Sequence, residues 1–95
     1  MLTAEYNDQV LHLIGDLQVH HLESVKSELV AWATDGNPLT LDVSQVQEID
    51  LAGLQMVLAF LRSRKTGIKV TGIGAELAKA LALAGLTPHF ATFLD

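Results

Sequence analysis

Between Leu39 and Leu54 the period of the sequence changes. Leu39-Thr40-Leu41-Asp42-Val43 alternates apolar and polar residues strictly, which puts Leu39, Leu41 and Val43 on one face of a strand and turns Thr40 and Asp42 away from it. After a short connection through Ser44-Gln45-Val46-Gln47-Glu48 and then Ile49-Asp50, the segment Leu51 to Arg64 has no proline and no β-branched run, and is rich in leucine and alanine. It reads as a mostly buried helix. The succession recurs downstream, where Ile68-Lys69-Val70-Thr71 forms a short strand and Ala75 to Ala84 a helix closed by Gly85. Strands alternating with helices imply parallel neighbours joined by right-handed crossovers, with the helices covering the sheet.

The upstream half adds an antiparallel element. Leu2 to Tyr6 and Gln9 to Ile14 read as short strands joined at Asn7-Asp8, a pair suited to a tight turn. Gly15-Asp16 is expected to break the extended run. Leu22, Val25, Leu29 and Trp32 then recur at helical spacing and predict an amphipathic helix from about Val19 to Ala33. Asp35-Gly36-Asn37-Pro38 has the chemistry to end it. Arg62, Arg64 and Lys65 suit the negative end of the Leu51 helix, with Gly67 as its stop. Thr87-Pro88 predicts one last turn, with Thr87 as cap. The predicted sheet is therefore mixed, and no repeat or linker divides the chain.

Size and composition narrow the classes of function. With 95 residues, of which 49% are hydrophobic and 18% charged, the chain is too apolar for a disordered one and can bury about two-thirds of its unfolded surface. There are no cysteines, so a disulfide framework, a thiol nucleophile and a thiolate metal site are excluded, and a reducing compartment is permitted. Six basic residues against eleven acidic ones give a net charge of -5, which opposes binding to phosphate backbones. The charge is uneven: residues 1–50 hold nine acids and one base, and residues 51–95 hold two acids and five bases. Such polarity suits oriented docking to another protein unless the fold interleaves the halves. The longest apolar run, Leu51 to Leu61, falls short of the roughly 20 residues a bilayer span needs. The Met1-Leu2-Thr3-Ala4-Glu5 start has no secretory pattern, so the expected location is the cytoplasm.

The most informative stretch is Asp42-Val43-Ser44 through Asp50-Leu51-Ala52-Gly53-Leu54. Asp50 stands where a helix begins, able to accept hydrogen bonds from the free amides of the first turn at the positive end of the dipole. A strand ending Leu-Asp-Val-Ser, then Ile-Asp-x-x-Gly-Leu, then a leucine-rich helix, resembles the STAS domain of anti-sigma-factor antagonists. Gly15-Asp16-Leu17, Lys69-Val70-Thr71-Gly72 and Leu83-Ala84-Gly85-Leu86 extend the resemblance over most of the chain. It implies a single STAS-like α/β domain over residues 1–95, with a mixed four- to five-stranded sheet, an N-terminal hairpin and three to four packed helices. It also implies a non-catalytic bacterial regulatory module. Its partner would be a serine kinase or anti-sigma factor of the ATP-binding histidine-kinase-like superfamily, or a chemotaxis-type signalling protein. Small STAS subunits that bind the ATPase of ABC-type lipid-transport complexes offer an alternative, and a small-ligand or nucleotide-binding module a third.

In such relatives a Ser or Thr just after the capping Asp is phosphorylated by the partner kinase, at a helix start whose amides would hold the phosphate. Here Leu51 and Ala52 carry no hydroxyl. The implied partner surface is Asp50, Leu51, Ala52, Gly53 and Gln55, with Leu51 either an exposed apolar anchor or tucked into the core. Ser44, at a position where the family commonly has a structural serine, is the alternative phosphate acceptor. Self-association as a homodimer is compatible with all of this.

The remaining motifs point to no cofactor and no metal. His20 and His21 are adjacent, so on a helix they diverge by about 100° and cannot share one ion; a site would need His12 or Asp16 alongside. No Ser, His and acid spacing suggests a triad. Asp42, Glu48 and Asp50 are the carboxylates a hydrolytic pair would draw on, without a cleft to serve. Gly72-Ile73-Gly74-Ala75 lacks the third glycine of a dinucleotide loop, with Leu77 in its place, and reads as a tight strand-to-helix turn. Trp32, Phe60, Phe90 and Phe93 read as core, with Phe90 to Leu94 alternatively a cover for a partner.

Overall fold

The structure is a computed structural model, which describes residues 1–34, 37–64 and 67–94. Four strands, β1 (Leu2–Asn7), β2 (Val10–Leu17), β3 (Leu39–Ile49) and β4 (Ile68–Thr71), lie in chain order across one sheet, with β1 antiparallel to β2 and β2, β3 and β4 mutually parallel. The helices are α1 (Glu23–Ala33), α2 (Leu51–Ser63), α3 (Ala75–Leu83) and α4 (Thr87–Ala91), with a 3-10 turn at Val19–His21 before α1. This is the mixed α/β arrangement the period changes predict. Because the sheet runs in chain order, within it the acid-rich first half supplies β1 to β3 and the base-rich second half only the β4 edge, although α2 of the second half packs over the first.

Alternation sets which face is covered. Leu11, Leu13, Leu39, Leu41, Val43, Ile68 and Val70 point into a core closed by Val25 and Leu29 of α1, Leu54, Val57, Leu58 and Leu61 of α2, Leu77 and Leu81 of α3 and Phe90 of α4. Thr3, Glu5, His12, Thr40, Asp42 and Thr71 share the opposite face by register, away from the helices among the described residues. Phe60 and Phe90 are core, while Trp32 and Phe93 are half-buried at its margin. The Phe90–Leu94 stretch covers its own β4: the Val70 amide donates to the Phe93 carbonyl at 2.7 Å, and Val70 bridges Leu94.

Several boundaries move from their expected places. The hairpin turn is Asp8-Gln9, both with positive φ (50° and 66°), one residue beyond Asn7-Asp8. Gly15 does not break β2. At φ 111° it bulges, and the strand continues to Leu17 with register shifts against β3. A Cβ there would sit 2.0 Å from the Met1 carbonyl oxygen. Ser44 to Glu48 is no connection either, since it extends β3 along the far half of β2, where Gln45 faces Ile14 and Val46 faces Gly15. Thr87 is the first residue of α4 rather than its cap, which is Leu86, and its side chain makes no capping bond. Asp35, Gly36 and Lys65 lie outside the described residues.

Arg64 is the largest correction. It leaves α2 in extended conformation and is 7% exposed, and its guanidinium donates to the Trp32 carbonyl at 2.6 Å and to the Asn37 carbonyl. The positive charge thus serves the negative end of α1, not that of its own helix. The sequence shows a cation after a helix but not which helix end it will meet. Arg64→Ala should cost at least about 1.5 kcal/mol in urea unfolding, because it strips two carbonyls of a charged donor in a buried place. Arg62→Ala, an exposed neighbour, should stay within about 0.5 kcal/mol.

Candidate functional site at the start of α2

Three backbone segments meet where α2 begins. The Asp50 amide donates to the Leu17 carbonyl at 3.1 Å, tying the end of β3 to the end of β2. Its carboxylate then divides its work: Oδ1 accepts the Gly53 amide at 2.8 Å and caps the helix, while Oδ2 accepts the Val19 amide at 3.0 Å and holds the 3-10 turn. This second bond explains why the helical segment predicted from Val19 opens as a separate turn, with α1 starting only at Glu23. Both amide bonds hold the Asp50 carboxyl below the usual carboxylate range, the Val19 amide most, with a smaller contribution from nearby His20.

Gly53 explains why the helix can lie there. A Cβ at this position would stand 2.1 Å from the Leu17 carbonyl oxygen, so only glycine lets the first turn of α2 rest on the backbone of β2. Among the expected partner residues, Gly53 is therefore buried and works from beneath. Leu51 and Gln55 are exposed and Ala52 and Asp50 half-buried. Leu51 is 53% exposed, so its side chain lies largely in solvent and is not part of the core. Val19, whose amide Asp50 holds, is also exposed, at 57%. The periodicity assigns Val19 to a helix and gives no sign that a carboxylate 31 residues later fixes it in place.

The other candidates lie apart from this point. Ser44 sits up β3 from Asp50, six residues away at about 3.3 Å each. Its amide donates to Asp42 Oδ1 at 2.9 Å, and Asp42 Oδ2 meets His12 Nδ1 at 2.7 Å. Partial burial works to raise the Asp42 pKa, but the Ser44 and His12 bonds outweigh it and the carboxyl stays low. The His20 and His21 rings lie against each other with centroids 4.8 Å apart, and His21 Nε2 is 4.0 Å from Asp16. Among the described residues no group of three or more histidines and acids is placed to hold a metal ion. Gly72, at φ 82°, makes the strand-to-helix turn ahead of the α3 cap Gly74. No helix among the described residues is long and apolar enough to cross a membrane.

A small mixed sheet with helices on one face, and a capped helix start at the strand ends, defines a small α/β domain of STAS-like architecture. The family model described as "Mlab, STAS domain" matches residues 1–93, and the chain belongs to the STAS domain family. Comparison with curated proteins returns no match. STAS domains are in general non-catalytic regulatory modules that mediate protein–protein interactions.

Two measurements check this geometry. Gly53→Ala should lose about 1 to 3 kcal/mol through overpacking. Gly74→Ser, at a cap position with nothing within 4 Å of the added Cβ, should hold or gain a few tenths. Asp50→Asn can still cap Gly53 but sets an amide donor against the Val19 amide in place of Oδ2, so it should cost about 1 kcal/mol at pH 7, and the loss should depend on pH. A carboxyl whose folded pKa is depressed stabilises above its unfolded value near 3.9 and ceases to do so as pH falls through the folded value. The gap between parent and Asp50→Asn in urea midpoints should therefore narrow below about pH 4 and vanish at lower pH, and a gap independent of pH would contradict the assignment.

Proposed function

We propose that this chain is a single-domain, anti-sigma-antagonist-like regulatory module of the bacterial cytoplasm that grips a protein partner through the start of α2. Asp50 and Gly53 set the surface, and Leu51, Ala52 and Gln55 contact the partner. The observation that carries this reading is Leu51: a leucine half in solvent, on a helix turn fixed at both ends. Burying what remains exposed would contribute on the order of 1 kcal/mol, and a turn already locked loses little further freedom on binding.

The chemistry at positions 51 and 52 argues that such a grip does not switch in the manner of hydroxyl-bearing relatives. Neither Leu51 nor Ala52 can accept a phosphoryl group, so binding would be constitutive unless Ser44 takes that part. The partner we favour is a serine kinase or anti-sigma factor, or a chemotaxis-type signalling protein. An ABC-type transport ATPase would use the same face, and the identity of the captured partner separates the two.

Affinity capture from the native cell with the parent and with Leu51→Asp tests the proposal. Parent protein should retain one dominant partner, and Leu51→Asp, folded by circular dichroism, should lose it at least about tenfold, the effect of placing a charge at a desolvated anchor. Equal capture by both would remove the α2 start as the interface.

A further inference from the structure

The two outer edges of the sheet are treated differently by the chain. The β4 edge is covered from within by Phe93 and Leu94. β1 lies at the other end of the strand order, and among the described residues no strand pairs with its outer side. Register shows which of its main-chain groups face outward. Asp8 and Gln9 form a two-residue turn with positive φ throughout, so Asn7 and Val10, which flank it, are a hydrogen-bonded pair. Alternation then makes Glu5–His12 and Thr3–Ile14 the other such pairs, and the Asp16 amide bonded to the Met1 carbonyl keeps the same parity. Leu2, Ala4 and Tyr6 are left with amide and carbonyl pointing away from β2. The Leu2 carbonyl is met by the Ser24 hydroxyl of α1 at 2.6 Å, which agrees with that direction and closes one end. Ala4 and Tyr6 form an open stretch of two rungs.

We propose that this edge accepts an extended segment of another polypeptide, added antiparallel across Ala4 and Tyr6, with a lysine or arginine opposite Glu5 flanked by apolar residues. Each preference follows from the strand. Side chains opposite Ala4 and Tyr6 project to the helix side, where Tyr6, 48% exposed, stacks on Trp32 with ring centroids 4.3 Å apart and offers a flat apolar rim. The side chain between them projects to the open face beside Glu5, whose cross-strand neighbour His12 is held by Asp42. An opposite charge there is favourable and a like charge is not. A second copy of this chain fits poorly for the same reason. Two-fold pairing over the two open rungs puts Glu5 directly against its own equivalent, and sliding the register toward Leu2 meets Ser24. The segment would gain main-chain hydrogen bonds for affinity and side-chain pairing for selectivity, as strand addition does elsewhere.

The test uses the full chain, ¹⁵N-labelled, and the blocked peptide Ac-Thr-Val-Lys-Val-Thr-NH₂ at up to millimolar concentration. The Ala4 and Tyr6 amide resonances should shift and saturate, the peptide with glutamate for lysine should bind about threefold more weakly, and N-methylation of both valines should abolish the effect. Ala4→Pro, which removes an outward amide and no internal bond, should keep the fold and lose peptide binding. Absence of shifts at Ala4 and Tyr6, or equal shifts with the N-methylated peptide, would overturn the proposal. Sedimentation as a dimer that Ala4→Pro dissolves would make the occupant a second copy and overturn it as stated. Because Leu51 takes no part, Leu51→Asp should bind the peptide as the parent does, so this result and that for the α2 face stand apart.

Discussion

The close approach of Gly53 to the Leu17 carbonyl is the contact on which the rest of the molecule depends. A helix ordinarily stands about a side chain's depth away from a sheet, but here its first turn lies on the bare backbone of β2, where a single methyl group would come within 2.1 Å of an oxygen. Asp50 secures the arrangement from the other side. Its amide reaches the Leu17 carbonyl and its carboxylate takes the amides of Gly53 and Val19, so one residue links β2, the 3-10 turn, β3 and α2. The apolar face of α2, Leu54, Val57, Leu58 and Leu61, then falls onto the core, and Leu51, one residue after the cap, is left on the outside.

This geometry gives physical meaning to the sequence pattern. The Asp is needed because it accepts two amides that meet no other acceptor among the described residues, and the Gly three residues on because there is no room for more. Leucine at the next position is required by neither. A residue that is apolar, exposed and unneeded by the fold, on a rigid support, is the ordinary makeup of an interface anchor. The architecture asks for no hydroxyl at positions 51 and 52, since it rests on the residues to either side.

Strict alternation at Leu39 to Val43, the stripe Leu22-Val25-Leu29-Trp32 and the leucine-rich Leu51 helix made the element order, the mixed sheet and most of the core legible in the sequence. So was the cap at Asp50, because capping is a local interaction. What stayed hidden was non-local. Gly15 carries the signature of a break, yet its positive φ is absorbed as a bulge by partners on both sides. Ser44 to Glu48 has no apolar face, and only pairing with β2 keeps it extended. Arg64 reads as a solvated cation until Trp32 at the end of α1 and Asn37 beyond it supply carbonyls 32 and 27 residues upstream. Leu51 could have pointed either way, since a lone leucine at a helix start has no periodic partner to decide its face.

Amide hydrogen exchange followed residue by residue tests the central claim most directly. If Asp50 joins the 3-10 turn to α2, the Val19 and Gly53 amides should both exchange slowly in the parent, and Asp50→Ala should accelerate both while the Val57 and Leu58 amides remain slow. Rapid exchange of Val19 in the parent, or a Val19 rate unchanged in Asp50→Ala, would contradict it.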